Sequence, residues 1–572
     1  MLPKFIELKK NCKKDMTGLH EMKIALMGDC ATQHIATAIK GFGFTKGFAF
    51  DVLDTDYNQV IPQVMDQESE TYKFGPFIVL MAMCVEKLYE EFVAAEPEAR
   101  ASFAKKKIDE YVAYWTTLKE RCGCKIIMFN FPEADDRVYG NFGSLVDSSF
   151  IRQVRELNLL LGDKAQESGN VYIVDVAYLQ NAFGRSFLHD EKLYYSAKMT
   201  FAPDALPYIA KEVVSIIENI TGHMKKCAVL DLDNTLWGGV VGDDGLDGIQ
   251  IGELGIGKAF AAFQTYLKEL TKRGVILAVC SKNDEDKAKE PFIKHPEMVL
   301  RLEDIAIFVA NWEDKASNIR YIQKTLNIGM DSMVFFDDNP FERNLVSSMI
   351  PEITVPEMPE DPADYVSFVQ RSNLFETISF SKDDSKRTKQ YREEAGRVQL
   401  QASFSSYEDY LKNLEMVGQA LPFDTFHYPR IAQLTQRSNQ FNLRTIRYSE
   451  EDIKNIALDD NYVTRYFTLK DKFGDHGLIS VVIMKKEEEA LFVDTWLMSC
   501  RVLKRGMEEY IMNSIVAAAK EAGYDKLRAQ YIKTPKNSMV EHIYDNMGWK
   551  ALDDGNYELE VGNYENKKTY IN

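Results

Sequence analysis

The run Cys227–Leu236, CAVLDLDNTL, constrains the chain more than any other stretch. An apolar strand-like segment leads straight into Asp231-x-Asp233-x-Thr235. A strand of this kind places two carboxylates at the C-terminal edge of a parallel sheet, where α/β sites form. Residues two apart at a strand end point the same way. Asp231 and Asp233 can then face one cation and one phosphate. In that arrangement Asp231 attacks phosphorus as an ionised carboxylate and becomes an aspartyl-phosphate. Asp233 protonates the leaving oxygen and then activates water.

One such motif arises by chance about once in ten chains of this length, but here its partners follow in order. Cys280-Ser281-Lys282-Asn283 ends a second strand and offers a hydroxyl and backbone amides for the phosphate. Lys315 opens a helix and supplies a cation for the phosphoryl oxygens. Phe335-Phe336-Asp337-Asp338-Asn339 closes another strand with hard oxygen donors suited to Mg²⁺. Asp231, Asp233, Asp337 and Asp338 are the expected metal ligands. Phosphoryl transfer depends mainly on positioning and charge neutralisation, and this set supplies both. In order and residue type the segment resembles the haloacid dehalogenase superfamily. Fewer than fifty residues separate Asp233 from Ser281, too few for a large cap domain. An uncapped site suits a phosphate carried on a protein or a tethered prosthetic group.

At 572 residues the chain is expected to hold three or four domains. Strand candidates at Met22–Met27, Phe77–Met81, Lys125–Phe129 and Val171–Val174 alternate with helical stretches such as Val85–Phe103 and Phe150–Glu167, which implies parallel βαβ units. We divide the chain into 1–222, 223–380 and 381–572. The last begins with the densely charged run Lys382–Arg397, expected to be a solvated linker helix, and continues into antiparallel strands from Val463 onward. The fold class is multidomain α/β. The net charge of −18 argues against a nucleic-acid backbone binder. The longest apolar run, PFIVLMAMCV, is about half of a membrane-spanning helix. No secretory signal is evident, and eight scattered cysteines point to a reducing cytoplasm.

A longer stretch, DLDNTLWGGVVGDDG from Asp231 to Gly245, closely resembles the FkbH-like family, subfamily IIIC of the haloacid dehalogenases. So do NQFNLRT from Asn439 to Thr445, FGDHGL from Phe473 to Leu478, and DTWLMSCRVLKRG from Asp494 to Gly506. The resemblance implies an SGNH-hydrolase-like first domain, a central phosphatase with bound Mg²⁺ and a GNAT-like third domain. It also implies a glyceryl-transfer chemistry. A phosphoglyceryl group moves from the acyl phosphate 1,3-bisphosphoglycerate to an enzyme cysteine. It is then dephosphorylated and passed to an acyl carrier protein's phosphopantetheine thiol.

The SGNH resemblance places a nucleophile after the first strand, where this chain has Gly28-Asp29-Cys30. A cysteine suits thioester chemistry, because its thiolate is a strong nucleophile and the thioester stays reactive to another thiol. A helix start beyond Cys30 would favour the thiolate. The second and last catalytic blocks of such hydrolases are absent: Phe77–Met81 runs into Ala82-Met83-Cys84-Val85, and His189-Asp190 offers no clear base. His34 is a weak pairing candidate. In the third segment the GNAT resemblance implies a pyrophosphate loop at Arg501, Arg505 and Gly506, holding CoA or phosphopantetheine, with Lys504 where a glycine is usual. Tyr544 is either the acid that protonates a leaving thiolate or a core residue. The alternative to the transfer function is a plain phosphatase acting on a phosphoprotein or sugar phosphate, with the flanking domains used for recognition.

Overall fold

The computed structural model describes residues 2–380, 384, 387–402, 404, 406–499, 502–552 and 555–572. The chain forms two compact units. One comprises Met1–Lys225 with Val366–Phe380, the other Lys226–Tyr365 with Ser381–Asn572. The sheets of the second and third sequence segments therefore share one unit.

The first unit is built on strands β1 (His20–Gly28), β2 (Phe48–Asp54), β3 (Ile78–Ala82), β4 (Lys125–Phe129) and β5 (Val171–Val174), in the order β2-β1-β3-β4-β5 and all parallel. The run Ile24-Ala25-Leu26-Met27 shows why these residues form a central strand. Ile24 and Leu26 enter the core on one face and Ala25 and Met27 the core on the other. A strand buried on both faces reads as unbroken apolar sequence. Helices α1 (Gln33–Thr45), α2 (Val85–Ala94), α3 (Phe103–Cys122), α4 (Phe150–Ser168), α5 (Glu191–Ala197) and α6 (Leu206–Ile220) belong to this unit. The expected helix Val85–Phe103 is two helices, because Ala95-Glu96-Pro97 leaves helical geometry and restarts through a 3₁₀ turn. Proline at the first position of that turn lacks the amide that a continuing helix would need.

In the second unit, β6 (Cys227–Leu230), α7 (Gly257–Lys272), β7 (Ile276–Ser281), β8 (Ile305–Ala310), α8 (Lys315–Leu326), β9 (Met333–Phe336) and α9 (Pro340–Met349) form a parallel α/β layer with strand order β8-β7-β6-β9. The proline-rich stretch after residue 350 adds Thr354 to the free side of β9, taking a hydrogen bond from Phe335 and giving one to Met333.

Helix α10 (Arg387–Ala402) corrects the solvated-linker expectation. It packs against β7, β8 and α8, and Arg397 is fully buried. Arg397 donates to both carboxylate oxygens of Asp471, at 2.7 and 2.8 Å. Density of charge does not distinguish a solvated face from a buried ion pair.

The remaining sheet has seven strands. These are β10 (Val417–Leu421), β11 (Tyr462–Asp471), β12 (Gly474–Lys486), β13 (Leu491–Met498), β14 (Lys526–Gln530), β15 (Lys550–Ala551) and β16 (Asn556–Glu560), ordered β10-β11-β12-β13-β14-β16-β15. Helix α11 (Met507–Glu521) connects β13 and β14, the one parallel pair among the described residues of this sheet. The others are antiparallel. The whole is multidomain α/β, as the sequence predicts. Among the described residues no helix is long and apolar enough to cross a membrane.

Candidate active site

The strand order positions the acids. From β6 the chain steps outward through β7 to β8, then returns to the other side of β6 with β9. The crevice between β6 and β9 is a topological switch point, where the connections diverge and leave room for a ligand at the carboxyl ends. Asp231 follows β6 and Asp337 follows β9.

Lys315, the first residue of α8, reaches into this crevice. Its ammonium lies 2.9 Å from Asp231 Oδ2 and 2.6 Å from Asp337 Oδ2, and it is buried with both carboxylates. Burial pushes the Asp231 carboxyl above its ordinary range, while Lys315, the Leu232 amide and the Ser281 hydroxyl pull against it. Burial likewise lifts Asp337, helped by the charge of Asp231, to about 6. Asp338 is raised by burial and by Asp337. Burial alone would lower the Lys315 pKa, but the two carboxylates outweigh it and hold the ammonium protonated.

Carboxylate oxygens of Asp231, Asp337 and Asp338 lie within 4.8 Å of one another. Three acids crowd one ammonium, so negative charge is in surplus in a desolvated pocket. A hard divalent cation with oxygen preference fits that donor set and that charge. Asp233, expected as a fourth ligand, is not in the group. Its Oδ1 accepts from the Trp237 indole at 2.9 Å and the Val241 amide at 3.0 Å, and its Oδ2 from Asn283 at 3.2 Å. The physical reason is that those three donors hold the carboxylate aside from the other acids. Trp237 and Asn283 were not singled out in the sequence. The Asn283 signal lay in the Ser281 loop, and Trp237 in the family-like stretch.

Two other residues fasten the second acidic pair. Thr235 Oγ1 accepts the Asp338 amide at 3.1 Å. The buried Arg343 donates to the carbonyls of Asp337 and Asp338 at 2.9 and 2.6 Å. Arg343 lies on α9, whose proline-led start after Asn339 marks a helix but not this role.

In the first unit, Cys30 lies just beyond β1, buried, with its thiol 3.5 Å from the Ala82 carbonyl that accepts it. Its neighbours are Cys84 and Tyr194. Asp29 accepts the Cys84 amide at 2.8 Å. Helix α1 begins at Gln33 with Thr32 as its cap, so Cys30 precedes the helix rather than starting it. His34 packs its ring on Phe5, 5.4 Å between centroids, and serves the fold. His189 pairs with Glu86 and the Thr200 carbonyl.

In the third sheet's unit, Arg505 is not free to receive a phosphate. Its buried guanidinium pairs with Glu394 and, at 3.6 Å, with Asp471. Gly506 caps α11 at φ +79°. The chain's own Glu508 occupies that turn, its carboxylate accepting from the Lys504 amide at 3.0 Å. Arg501 lies outside the described residues. Tyr544 is core: it is 1% exposed and packs among Trp496, Trp549 and Tyr557.

A switch-point crevice that holds Asp231, a buried lysine and a second acidic pair is the site of a phosphatase domain. The family model for the FkbH N-terminal domain matches residues 23–218. The solved N-terminal part of BF1531 from Bacteroides fragilis, containing a phosphatase domain and complexed with Mg, is 47% identical. The match covers 66% of this chain and 100% of that one, with a TM-score of 0.64. The chain belongs to the FkbH-like family. Acetyltransferase-type structures also align with it: the GNAT domain of S. lividans PAT (16% identity, 25% of this chain and 90% of that one, TM-score 0.20). A domain from Methanocaldococcus jannaschii aligns at 12% identity over 25% of this chain and 99% of that one, with a TM-score of 0.21. Those scores are too low to establish a shared fold. No curated protein matches the chain significantly.

Proposed function

We propose that the protein couples acyl transfer to dephosphorylation. A phosphorylated acyl group, such as the phosphoglyceryl group of 1,3-bisphosphoglycerate, passes to Cys30. Asp231 removes its phosphate, and an acyl carrier protein takes the product on its phosphopantetheine thiol. The observation that carries this reading is the pairing, in one chain of this family, of a thiol at a strand end with the Asp231–Lys315–Asp337 cluster.

Asp231 attacks phosphorus while Lys315 neutralises charge on the phosphoryl oxygens, and the Ser281 hydroxyl orients the group. Asp233 gives a proton to the leaving oxygen, then takes one from the water that cleaves the aspartyl-phosphate. Mg²⁺, held by Asp231, Asp337 and Asp338, would add charge neutralisation at the phosphoryl oxygens. CoA or phosphopantetheine at the Gly506 turn would have to displace Glu508. The phosphatase runs in a reducing cytoplasm on this reading, since Cys30 must stay a thiol.

Intact-mass measurement after incubation with 1,3-bisphosphoglycerate tests the reading. Wild type acquires a glyceryl adduct, Asp231→Asn an adduct that retains phosphate, and Cys30→Ser none. An adduct on Cys30→Ser, or none on wild type, overturns it. A second reading has one observation in its favour: Cys30 is buried. It makes the protein a Mg²⁺-dependent phosphatase for a phosphoprotein or sugar phosphate, with recognition by the other domain structures. Full turnover by Cys30→Ser would select it.

A further inference from the structure

The first sheet repeats the topology that builds the phosphotransfer site. From β1 the chain steps to β2 on one side and then crosses to β3 on the other. The switch point therefore lies between the carboxyl ends of β1 and β3. Cys30 follows the first of these strands and Cys84 the second. Gly28 and Ala82 are paired in register, so each cysteine stands two residues beyond the same rung.

Neighbouring parallel strands run about 4.8 Å apart. A disulfide spans a Cα separation of about 4.4–6.8 Å. The side chains agree with the register. The two sulfurs lie within 4.8 Å of each other. Both are buried, at 1% and 2% exposure, beneath Tyr194. A second close pair exists, Cys122 and Cys124, but only one residue separates those two in sequence and they lie at the far end of α3, away from any switch point.

We propose that Cys30 and Cys84 form a reversible redox pair, a modification site at which hydrogen peroxide converts two thiols into a disulfide. The Cys30 thiolate attacks one peroxide oxygen. The O–O bond breaks, and the leaving hydroxide takes up the proton lost by Cys30, giving water and a sulfenic acid. The Cys84 sulfur then attacks the Cys30 sulfur, the S–O bond breaks, and hydroxide leaves with the Cys84 proton as a second water. Two thiols lose two electrons and one peroxide gains them. A thiol reductant reverses the change. That oxidation also stops acyl transfer rests on the proposed function; the disulfide does not.

The test uses the full chain. Protein is treated with peroxide, capped with N-ethylmaleimide and digested with trypsin without reductant. The expected product links the peptides 24–40 and 74–87, which carry Cys30 and Cys84. Intact mass falls by two hydrogens, and dithiothreitol restores it. In Cys84→Ser the link is lost and Cys30 gains oxygen instead. Maleimide on both cysteines after peroxide, Cys30 linked to any other cysteine, or no added oxygen on Cys30 of Cys84→Ser overturns the proposal. Turnover of p-nitrophenyl phosphate is unchanged by oxidation, while adduct formation from 1,3-bisphosphoglycerate is lost. If the link forms but the reduced protein never takes an acyl adduct, the redox pair stands and the proposed function falls.

Discussion

The Lys315 ammonium lies 2.6 Å from the Asp337 carboxylate, at the carboxyl edge of the β6–β9 crevice, and is shared with Asp231. Lys315→Met leaves two buried carboxylates without their cation, which costs about 3–5 kcal/mol. It also removes a preorganised charge facing the phosphoryl group, worth about 10²–10³ in rate. Turnover of p-nitrophenyl phosphate falls by that factor, and the melting temperature falls in chelator. Adding Mg²⁺ recovers part of the stability and little of the rate.

Asp233 is held by Trp237, Val241 and Asn283, apart from the ligand group. Asp233→Asn keeps most of those contacts but removes the acid–base function. With an acyl phosphate, whose leaving group needs little protonation, the first step survives and hydrolysis becomes slow. Turnover falls by about 10²–10⁴, and a phosphorylated protein accumulates in intact-mass spectra. Asp231→Asn forms no aspartyl-phosphate.

Burial holds the Asp29 carboxyl up at about 7, while a carboxyl in the unfolded chain titrates near about 3.9. The fold thus binds this proton more tightly than the unfolded chain does. The stability it contributes is fully present below about pH 4 and is lost as pH rises through about 7. Asp29→Asn keeps an oxygen for the Cys84 amide and has no proton to lose. The melting temperature of the first unit should fall from about pH 5 to about pH 8 in wild type and change less in the variant. Equal slopes would contradict the protonated state.

Arg397 and Asp471 are both buried and joined by two hydrogen bonds. His476 Nε2 lies 3.1 Å from the same Asp471 carboxylate, which accepts from it. Arg397→Met leaves Asp471 buried without its main cation and is expected to cost about 3–5 kcal/mol. The denaturant midpoint of the second unit drops, while the first unit's transition is unmoved.

Of the strands of the acidic sheet, β6, β7 and β9 were legible because each is apolar and leads into a candidate site residue, whereas β8 was not read. Lys125–Phe129, Val171–Val174, Lys315–Leu326 and Met333–Phe336 have the same limits in the structure as in the sequence reading. Strand β2 was not seen, since Phe48–Asp54 is buried at alternate positions only near its start and runs out along the sheet edge. That Asp233 stands outside the ligand group and that Arg505 is paired within the fold were not legible for another reason. A carboxylate two residues past a strand and an arginine beside a glycine carry the same letters whether they face a ligand or a neighbour. Trp237 and Glu394 decide the matter, and they reach the site from 4 and 111 residues away. Strand order, which puts Cys84 beside Cys30, is likewise not written in any local pattern.

The first unit is assembled from two separated pieces of chain. Lys211 donates to the Arg371 carbonyl at 2.8 Å, and Asn373 to Glu212 at 2.9 Å, which ties residues 366–380 to α6. In the gene, the coding sequence for the acidic site therefore sits inside that of the thiol-bearing unit. One recombination break cannot hand on the first unit whole and leave the second behind. The two parts are inherited together.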